Sequence, residues 1–187
     1  MGLPSGTLWA KKNIDVTQTD GFAASEYQYE CSFFSWGNID GHNPTNTSSF
    51  APYSFGSSDD GEPYASSEGA KISYPGSADL SHDAAYANLG GPWSMPTAED
   101  FVELFNSNYT KFIDANGNDI ASDVTDKRIT INSIRGFRLK SKVNGNIIFF
   151  PCSGIAIMQT WNKTSSDGYW SSSLDPVANR GVRLFLS

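Results

Sequence analysis

The chain has 187 residues, 39% of them hydrophobic, 18% charged and 13% aromatic, and its formal net charge is −7 at pH 7. This length predicts a single domain, residues 1–187, that buries its own core without metals or a disulfide scaffold. The acidic balance, without a concentrated basic stripe, argues against a nucleic-acid partner. No apolar stretch reaches the roughly 18 residues of a membrane-spanning helix, so we expect no membrane insertion.

The first part of the chain predicts two short strands and a long insertion. Strands are expected at residues 7–10 and 32–37, where aromatic residues stand next to turn-forming residues. Residues 38–81 are dominated by Gly, Asn, Ser, Asp and Pro and have no hydrophobic periodicity. They are expected to form a long surface loop, of a kind that is often functional in a compact domain.

Two short helices are predicted after this loop. Residues 83–88 predict one or two helical turns, which Gly90-Gly91-Pro92 ends. Thr97 is expected to cap the second helix, with Asp100 three residues later as its acidic capping partner. An apolar stripe at helical spacing follows, formed by Phe101, Val102, Leu104 and Phe105.

The remainder of the chain predicts a mostly antiparallel sheet. Asn116-Gly117 and Asn144-Gly145 are typical of tight hairpin turns. The unbroken apolar run at 147–150 is typical of a central, covered strand. The other predicted strands lie at 111–113, 135–140, 168–173 and 181–186. The predicted fold class is α+β, with two short helices packed on a mostly antiparallel sheet and long loops at one end.

The residue types that act in catalysis or metal binding in other proteins form no recognisable pattern in this sequence. The two histidines, His42 and His82, occur without the Gly-x-Ser-x-Gly motif of a hydrolase. Residues 114–119 resemble the start of a calcium loop but lack its acidic twelfth position, and a hairpin turn already explains them. Cys31 and Cys152 are expected to be buried free thiols, with a long-range disulfide as the alternative. We therefore expect no enzymatic activity, no metal and no cofactor.

Five segments resemble one family in their order along the chain. They lie at residues 3–10, 34–37, 83–101, 144–151 and 168–173, and the most specific motifs are Trp93-Ser94-Met95-Pro96-Thr97 and Tyr169-Trp170-Ser171-Ser172. Together they resemble the Fibrobacter succinogenes major paralogous domain, which is abundant in surface proteins of gut Bacteroidetes and in their phages. The resemblance implies a C-type-lectin-like fold, similar to formylglycine-generating enzymes and retroelement-diversified receptor-binding proteins. Four tryptophans are expected to be core positions: Trp9, Trp36, Trp93 and Trp170.

The chain lacks residues on which the activities of these relatives depend. Formylglycine-generating enzymes need a late cysteine pair, whereas only Cys152 lies in that half of the chain. Sugar-binding C-type lectins place an acidic calcium ligand after Trp-Asn, whereas Lys163 follows Trp161 and Asn162 here. The resemblance therefore implies a calcium-independent module without catalysis. Relatives usually continue through a variable loop and a closing strand, so the resemblance implies either that a closing strand is missing after Ser187 or that a partner chain covers the exposed edge.

The resemblance and the composition together predict a recognition domain displayed on a bacterial cell surface or on a phage virion. Its ligand is expected to be a cell-surface glycan or protein, bound by loops that follow the strands of Phe150 and Trp170. The candidate ligand-binding residues combine an aromatic platform with hydrogen-bonding groups: Gln159, Trp161, Asn162, Asp175, Asn179 and Arg180. Met1 leads into a polar turn without an apolar leader, which indicates a trimmed chain or a virion protein.

Three alternatives stay open at this point. In the first, Trp161 serves only to cover the sheet and the polar candidates are simply solvated. In the second, the chain is a structural assembly or decoration domain of a phage particle or surface appendage, working as a homo-oligomer or in a larger fibre. A carbohydrate-active enzyme would need a cleft with two close carboxylates, and no two acidic residues are paired by the sequence.

Overall fold

The computed structural model describes residues 1–28, 31–34, 36–37, 39–41, 80, 82–157, 160–162, 167–175 and 180–186. Within these residues the chain is α+β, with two helices and antiparallel sheets, as predicted. Apart from residues 39–41 and 80, the loop predicted at 38–81 lies outside the described residues. No helix in the described part is long and apolar enough to cross a membrane.

Helix α2 begins at its predicted cap, and α1 begins one residue later than predicted, because Asp83 is its cap and not its first residue. Helix α1, Ala84–Leu89, begins after Asp83, whose side chain accepts a hydrogen bond from the Tyr86 amide, and ends at Gly90 with a φ of 65°. Helix α2, Ala98–Leu104, begins with the reciprocal capping box of Thr97 and Asp100. These local side-chain-to-backbone bonds satisfy amide groups that have no partner within the helix.

The predicted apolar stripe of α2 is only partly correct. Phe101 and Leu104 are buried, and Phe105 packs against the same cluster. Val102, in contrast, is 71% exposed. Residues three and four apart share a helix face, whereas adjacent residues are about 100° apart, so Val102 turns away from the face that Phe101 buries.

The principal sheet has four antiparallel strands. They are β1 (Thr110–Phe112), β2 (Ile129–Ile131), β3 (Ile134–Ser141) and β4 (Ile147–Pro151). Strand β3 is central, because β4 pairs with one of its edges while β1 and β2 pair with the other. The prediction that residues 147–150 are central is therefore wrong for the described sheet. Their apolar run is explained instead by burial on both faces of β4.

Two further hairpins complete the described strands. Strand β5 (Ile155–Ile157) pairs with β6 (Thr160–Asn162), and β7 (Asp167–Asp175) pairs with β8 (Arg180–Leu186). The strands predicted at 7–10 and 32–37 are wrong, since their described residues form no strand beyond a single bridge at Phe33.

Two hydrophobic clusters form the core. The first joins α2 to the principal sheet and contains Met1, Leu3, Phe101, Leu104, Phe137, Leu139, Ile148 and Phe150. The second contains Trp36, Ala84, Ala85 and Met95. Strand β7 contacts both, because Tyr169 packs against the first cluster and Trp170 against the second. The β7–β8 hairpin is thereby fixed to the two halves of the core at once.

The four tryptophans differ in burial. Trp36 is 1% exposed and belongs to the second cluster. Trp9 is half-buried and lies 5.3 Å from the Phe101 ring, while Trp93 is half-buried with its ring 5.4 Å from that of Phe22. Trp170 is also half-buried. The predicted core role is thus met fully only by Trp36, and one side of Trp170 is available to the surface.

Candidate functional site

The predicted ligand-binding residues fall into three groups. Trp161 and Asn162 lie in strand β6, paired with Ala156 and Ile155, and therefore not in a loop. Asp175 and Arg180 are cross-strand partners at the end of the β7–β8 hairpin, so the structure brings their backbones together. Gln159 and Asn179 lie outside the described residues. The first pair belongs to a different two-stranded sheet from the second pair.

The outer face of the β7–β8 hairpin carries an exposed group that the sequence analysis did not identify. Trp170 lies directly opposite Arg183, and Phe185 lies two residues further along β8. The Arg183 guanidinium carbon is 5.7 Å from the centroid of the Trp170 ring and 5.5 Å from that of Phe185. Both distances fall within the range of cation–π attraction. We call these three residues the outer ladder.

The exposed residues of the outer ladder are Arg183 and Phe185, the latter 48% exposed. Two other arginines, the exposed Arg135 and the half-buried Arg128, both pair with Asp126. Among the side chains that the structure describes, no carboxylate lies within ion-pair distance of Arg183. An exposed guanidinium between two aromatic rings offers both flat apolar surface and hydrogen-bond donors to a ligand.

A bulge in β7 fixes the hairpin to the helices. Between the Trp170–Arg183 and Leu174–Gly181 pairs, three residues of β7 face one residue of β8, Val182. The extra residues make the connections: the Ser172 amide donates to the Pro96 carbonyl at 2.8 Å, and the Ser173 hydroxyl accepts from the Ala98 amide at 2.9 Å. The Tyr-Trp-Ser-Ser motif thus ties the hairpin to the N-terminus of α2.

The ring nitrogens of two tryptophans also hold the hairpin in place. The Trp36 ring nitrogen donates to the Ser171 carbonyl at 2.8 Å, and the Trp170 ring nitrogen donates to the Phe34 carbonyl at 2.9 Å. A Cβ atom built on Gly181 would overlap Cγ and Cδ2 of Trp36 and would come within 2.6 Å of its Cδ1. Glycine at 181 is therefore what lets β8 lie directly on the Trp36 ring.

Asp83 links the start of helix α1 to the Trp-Ser-Met-Pro-Thr motif. Its side chain is fully buried and accepts from the amide of Tyr86 at 2.9 Å and from the amide of Met95 at 2.9 Å. Burial raises the pKa of the Asp83 carboxyl, and hydrogen bonds from these backbone amides oppose the rise. Asp83 therefore caps α1 and positions Met95 in the Trp-Ser-Met-Pro-Thr motif.

The residues considered for catalysis or metal binding have structural roles where they are described. One Asp114 carboxylate oxygen accepts from the amides of Asn116 and Asn118, which makes the segment a side-chain-stabilised turn. Nδ1 of His82 lies 3.2 Å from the Gly37 carbonyl, and His42 lies outside the described residues. Among the described side chains, no group of three or more His, Cys, Asp or Glu residues is placed to hold a metal ion.

Both cysteines are free thiols, as predicted. Cys31 is buried, and its burial raises the pKa of the thiol to about 11. The thiol group remains protonated at neutral pH, and only the thiolate is a strong nucleophile. Cys152 is half-buried and packs against the first core cluster. The geometry of the two residues supports packing and gives no indication of reactive-thiol chemistry.

The sequence contains one indication of the outer ladder, the alternation of residues along β8. The run Gly181-Val-Arg183-Leu-Phe185-Leu alternates along β8, so Arg183 and Phe185 share a face that Val182 and Leu184 do not. Its partner Trp170 was assigned to the core on its small neighbours alone. The cross-strand pairing that brings Trp170 to Arg183 is not visible in either segment separately.

No family model, no curated protein and no solved structure matches this chain. The three comparisons therefore assign it to no family.

Proposed function

We propose that this chain is a non-catalytic recognition domain that binds a glycan or a protein on a cell surface. The observation that carries the proposal is the outer ladder, in which the exposed Arg183 and Phe185 lie beside the half-buried Trp170 on a hairpin fixed to both core clusters. A pre-organised surface loses little conformational entropy on binding, and aromatic and arginine side chains dominate the energetics of recognition surfaces.

A C-type-lectin-like fold is part of this proposal. Two short helices, antiparallel sheets and a long final hairpin are compatible with such a fold, and the resemblance of residues 83–101 and 168–173 supports it. The same resemblance supports display on a bacterial cell surface or a phage virion. The absence of catalysis is supported by the engagement of described carboxylates in structural hydrogen bonds, such as those of Asp83, Asp100 and Asp114.

Binding by the labelled domain to intact gut Bacteroidetes cells and to a glycan array tests the proposal. We expect saturable binding that EDTA leaves unchanged, because no calcium ion is needed. Replacement of Phe185 or Arg180 by alanine is expected to weaken binding at least about tenfold, since anchor residues of this kind typically contribute more than 1 kcal/mol. Trp161→Ala tests whether the β6 hairpin belongs to the same surface.

Val143→Ala is the matched control for Phe185→Ala. Val143 is a 65% exposed apolar residue in the Asn-Gly hairpin between β3 and β4. Its replacement is expected to leave binding unchanged. Equal binding by wild type and the Phe185 and Arg180 variants, or no binding by a folded sample on either format, would contradict the proposed surface.

A second candidate function, assembly with further subunits, is favoured by two exposed apolar residues on neighbouring segments. Leu8 is 83% exposed and Val102 is 71% exposed. Their segments adjoin, because Ser5 bonds to Glu103 and Thr7 bonds to Asp100. Contiguous exposed apolar surface is typical of surfaces that a partner covers.

Under the assembly function, sedimentation velocity is expected to show a wild-type species heavier than the monomer whose proportion rises with concentration. Replacing both Leu8 and Val102 by serine is expected to leave only monomer. A control variant, Val143→Ser, changes exposed apolar surface elsewhere and should keep the heavier species. A wild-type chain that is monomeric at every concentration would rule this function out for the isolated domain.

A further inference from the structure

Strand β8 has an edge with which no described residue pairs. The strand has seven residues, Arg180–Leu186, and pairs with β7 along one edge. No backbone hydrogen bond joins its other edge to any residue that the structure describes. An edge strand directs the N–H and C=O groups of every second residue away from its sheet, where they can bind a further strand. We call this side of β8 the open edge.

The other described strands are less suited to the addition of a strand. Strands β1, β2, β5 and β6 have three residues each, and β4, with five, ends in Pro151, which has no N–H group to donate. The longer β7 is bonded at its bulge, where the Ser172 amide donates to the Pro96 carbonyl. Strand β8 contains no proline. The open edge is therefore the longest edge among the described strands that lacks such protection.

Arg183 supplies a positive charge beside the open edge. Its guanidinium carbon lies 5.7 Å from the centroid of the Trp170 ring and 5.5 Å from that of Phe185, so the outer ladder holds it in place. It is exposed, and no carboxylate among the described side chains pairs with it. Opposite charges on neighbouring strands stabilise a sheet when they share a face. An added strand with an acidic residue on this face would therefore pair with Arg183.

Charge and hydrogen bonding together favour a segment of another protein as the occupant. Strand β8 carries Arg180 and Arg183 and no acidic residue. Pairing with β8 of a second copy would bring only positive charges together, and like charges opposite each other destabilise a sheet. A saccharide has no regularly spaced amide groups to match those of a strand. An extended peptide with an acidic residue satisfies both the backbone groups of β8 and the guanidinium of Arg183.

We propose that the open edge of β8 binds an extended, acidic segment of a partner protein by strand addition, with a carboxylate of that segment on Arg183. The inference rests on the proposed recognition function and adds the class of ligand. The backbone of β8 holds the segment in register, and Arg183 determines the specificity for an acidic residue.

Selection from a display library of random linear peptides tests the inference, with the wild-type chain as bait. We expect the enriched peptides to combine an acidic residue with β-branched and aromatic residues and to lack proline. In calorimetry, a synthetic peptide of this kind is expected to bind Arg183→Gln about tenfold more weakly than wild type, as is usual for an arginine anchor. Replacing its acidic residue by the corresponding amide should cost as much, and combining both changes should cost little more. Arg135→Gln, which removes an exposed guanidinium from β3, is the matched control and should bind like wild type.

Methylation of the peptide's backbone nitrogens tests strand addition without any change to the protein. Alternate amides of an added strand point towards β8, and the others point away from it. Methyl groups on one alternating set of nitrogens are therefore expected to abolish binding, while methyl groups on the other set are tolerated. Hydrogen exchange of the β8 amides should slow when the unmodified peptide binds.

The outcomes separate this inference from the proposed function. Binding that does not depend on which nitrogens are methylated, or that Arg183→Gln leaves intact, overturns acidic strand addition while recognition stands. Enrichment of no peptide by a chain that binds cells or saccharides overturns it as well. A wild-type dimer in which the β8 amides are protected would assign the open edge to a second copy and likewise overturn the inference. Failure of the wild-type chain to bind cells, saccharides and peptides contradicts the recognition function itself.

Discussion

Replacing Asp83 with alanine is expected to lower the free energy of unfolding by about 3 kcal/mol, since it removes a helix cap and leaves buried amides unsatisfied. The carboxylate is fully buried and accepts hydrogen bonds from the amides of Tyr86 and Met95. No water can replace it without opening the second core cluster around Met95. Urea denaturation followed by tryptophan fluorescence measures the change.

Asp20→Ala is the matched control for this loss. Asp20 is exposed, and its carboxylate accepts one bond from the Phe22 amide at 3.1 Å. Its removal is expected to change the stability by no more than about 0.5 kcal/mol, as is usual for surface substitutions. If Asp83→Ala were as mild as Asp20→Ala, the carboxylate would not be the link between α1 and Met95.

The pH dependence of stability gives Asp83 a second signature. Burial raises the pKa of its carboxyl above the unfolded value of about 3.9. The group therefore contributes stability that is complete below the unfolded pKa and is lost as the pH rises through the folded pKa. Compared with Asp83→Asn, which does not ionise, wild type is expected to lose stability as the pH rises from the unfolded pKa of Asp83 to its folded pKa. A difference between the two proteins that is constant with pH would contradict this.

Replacing Gly181 with alanine is expected to cost about 3 kcal/mol, the upper end of the usual range for overpacking. The added methyl group would overlap the Trp36 ring, which is 1% exposed and is held by its hydrogen bond to the Ser171 carbonyl. The ring has no space into which to retreat, so β8 must lift from the core. Urea denaturation and hydrogen exchange of the β7–β8 amides measure the two consequences.

The Trp36 side chain offers a way to separate the clash from the general cost of alanine at a glycine position. In a Trp36→Leu background, the added cost of Gly181→Ala is expected to fall well below its cost in wild type, because the atoms it overlaps are gone. Additive losses in the double variant would exclude direct contact as the cause.

The local features of the fold were predictable from the sequence. The Thr97–Asp100 pair and the Asn144-Gly145 turn act within a few residues, and both lie where the sequence predicts them. Asp83 is predicted inside the helix but is its cap, and one of its bonds reaches Met95, 12 residues away. The segment at 7–10 was mispredicted because its bonds are distant: Thr7 bonds to Asp100, and neighbouring Ser5 bonds to Glu103. Such bonds hold an extended chain on a helix without any strand pairing, and nothing within the segment indicates them.

The candidate site was predictable only in its general location. Asp175 and Arg180 were expected in the loop after the strand of Trp170, but they belong to β7 and β8 and pair with each other. Trp161 and Asn162 were expected in a loop but lie in β6. The outer ladder depends on the cross-strand register, and a bulge of two extra residues in β7 sets that register. A pattern read along one strand does not contain the offset that the other strand imposes.

The bulge in β7 also divides the pairing of the hairpin into two parts. On one side lie the Trp170–Arg183 and Gly168–Phe185 pairs, and on the other lies the Asp175–Arg180 pair. The serines of the bulge are bonded to Pro96 and Ala98, which fixes β7 between the two sets of pairs. We therefore expect substitutions at the Asp175–Arg180 end to leave the geometry of the outer ladder unchanged.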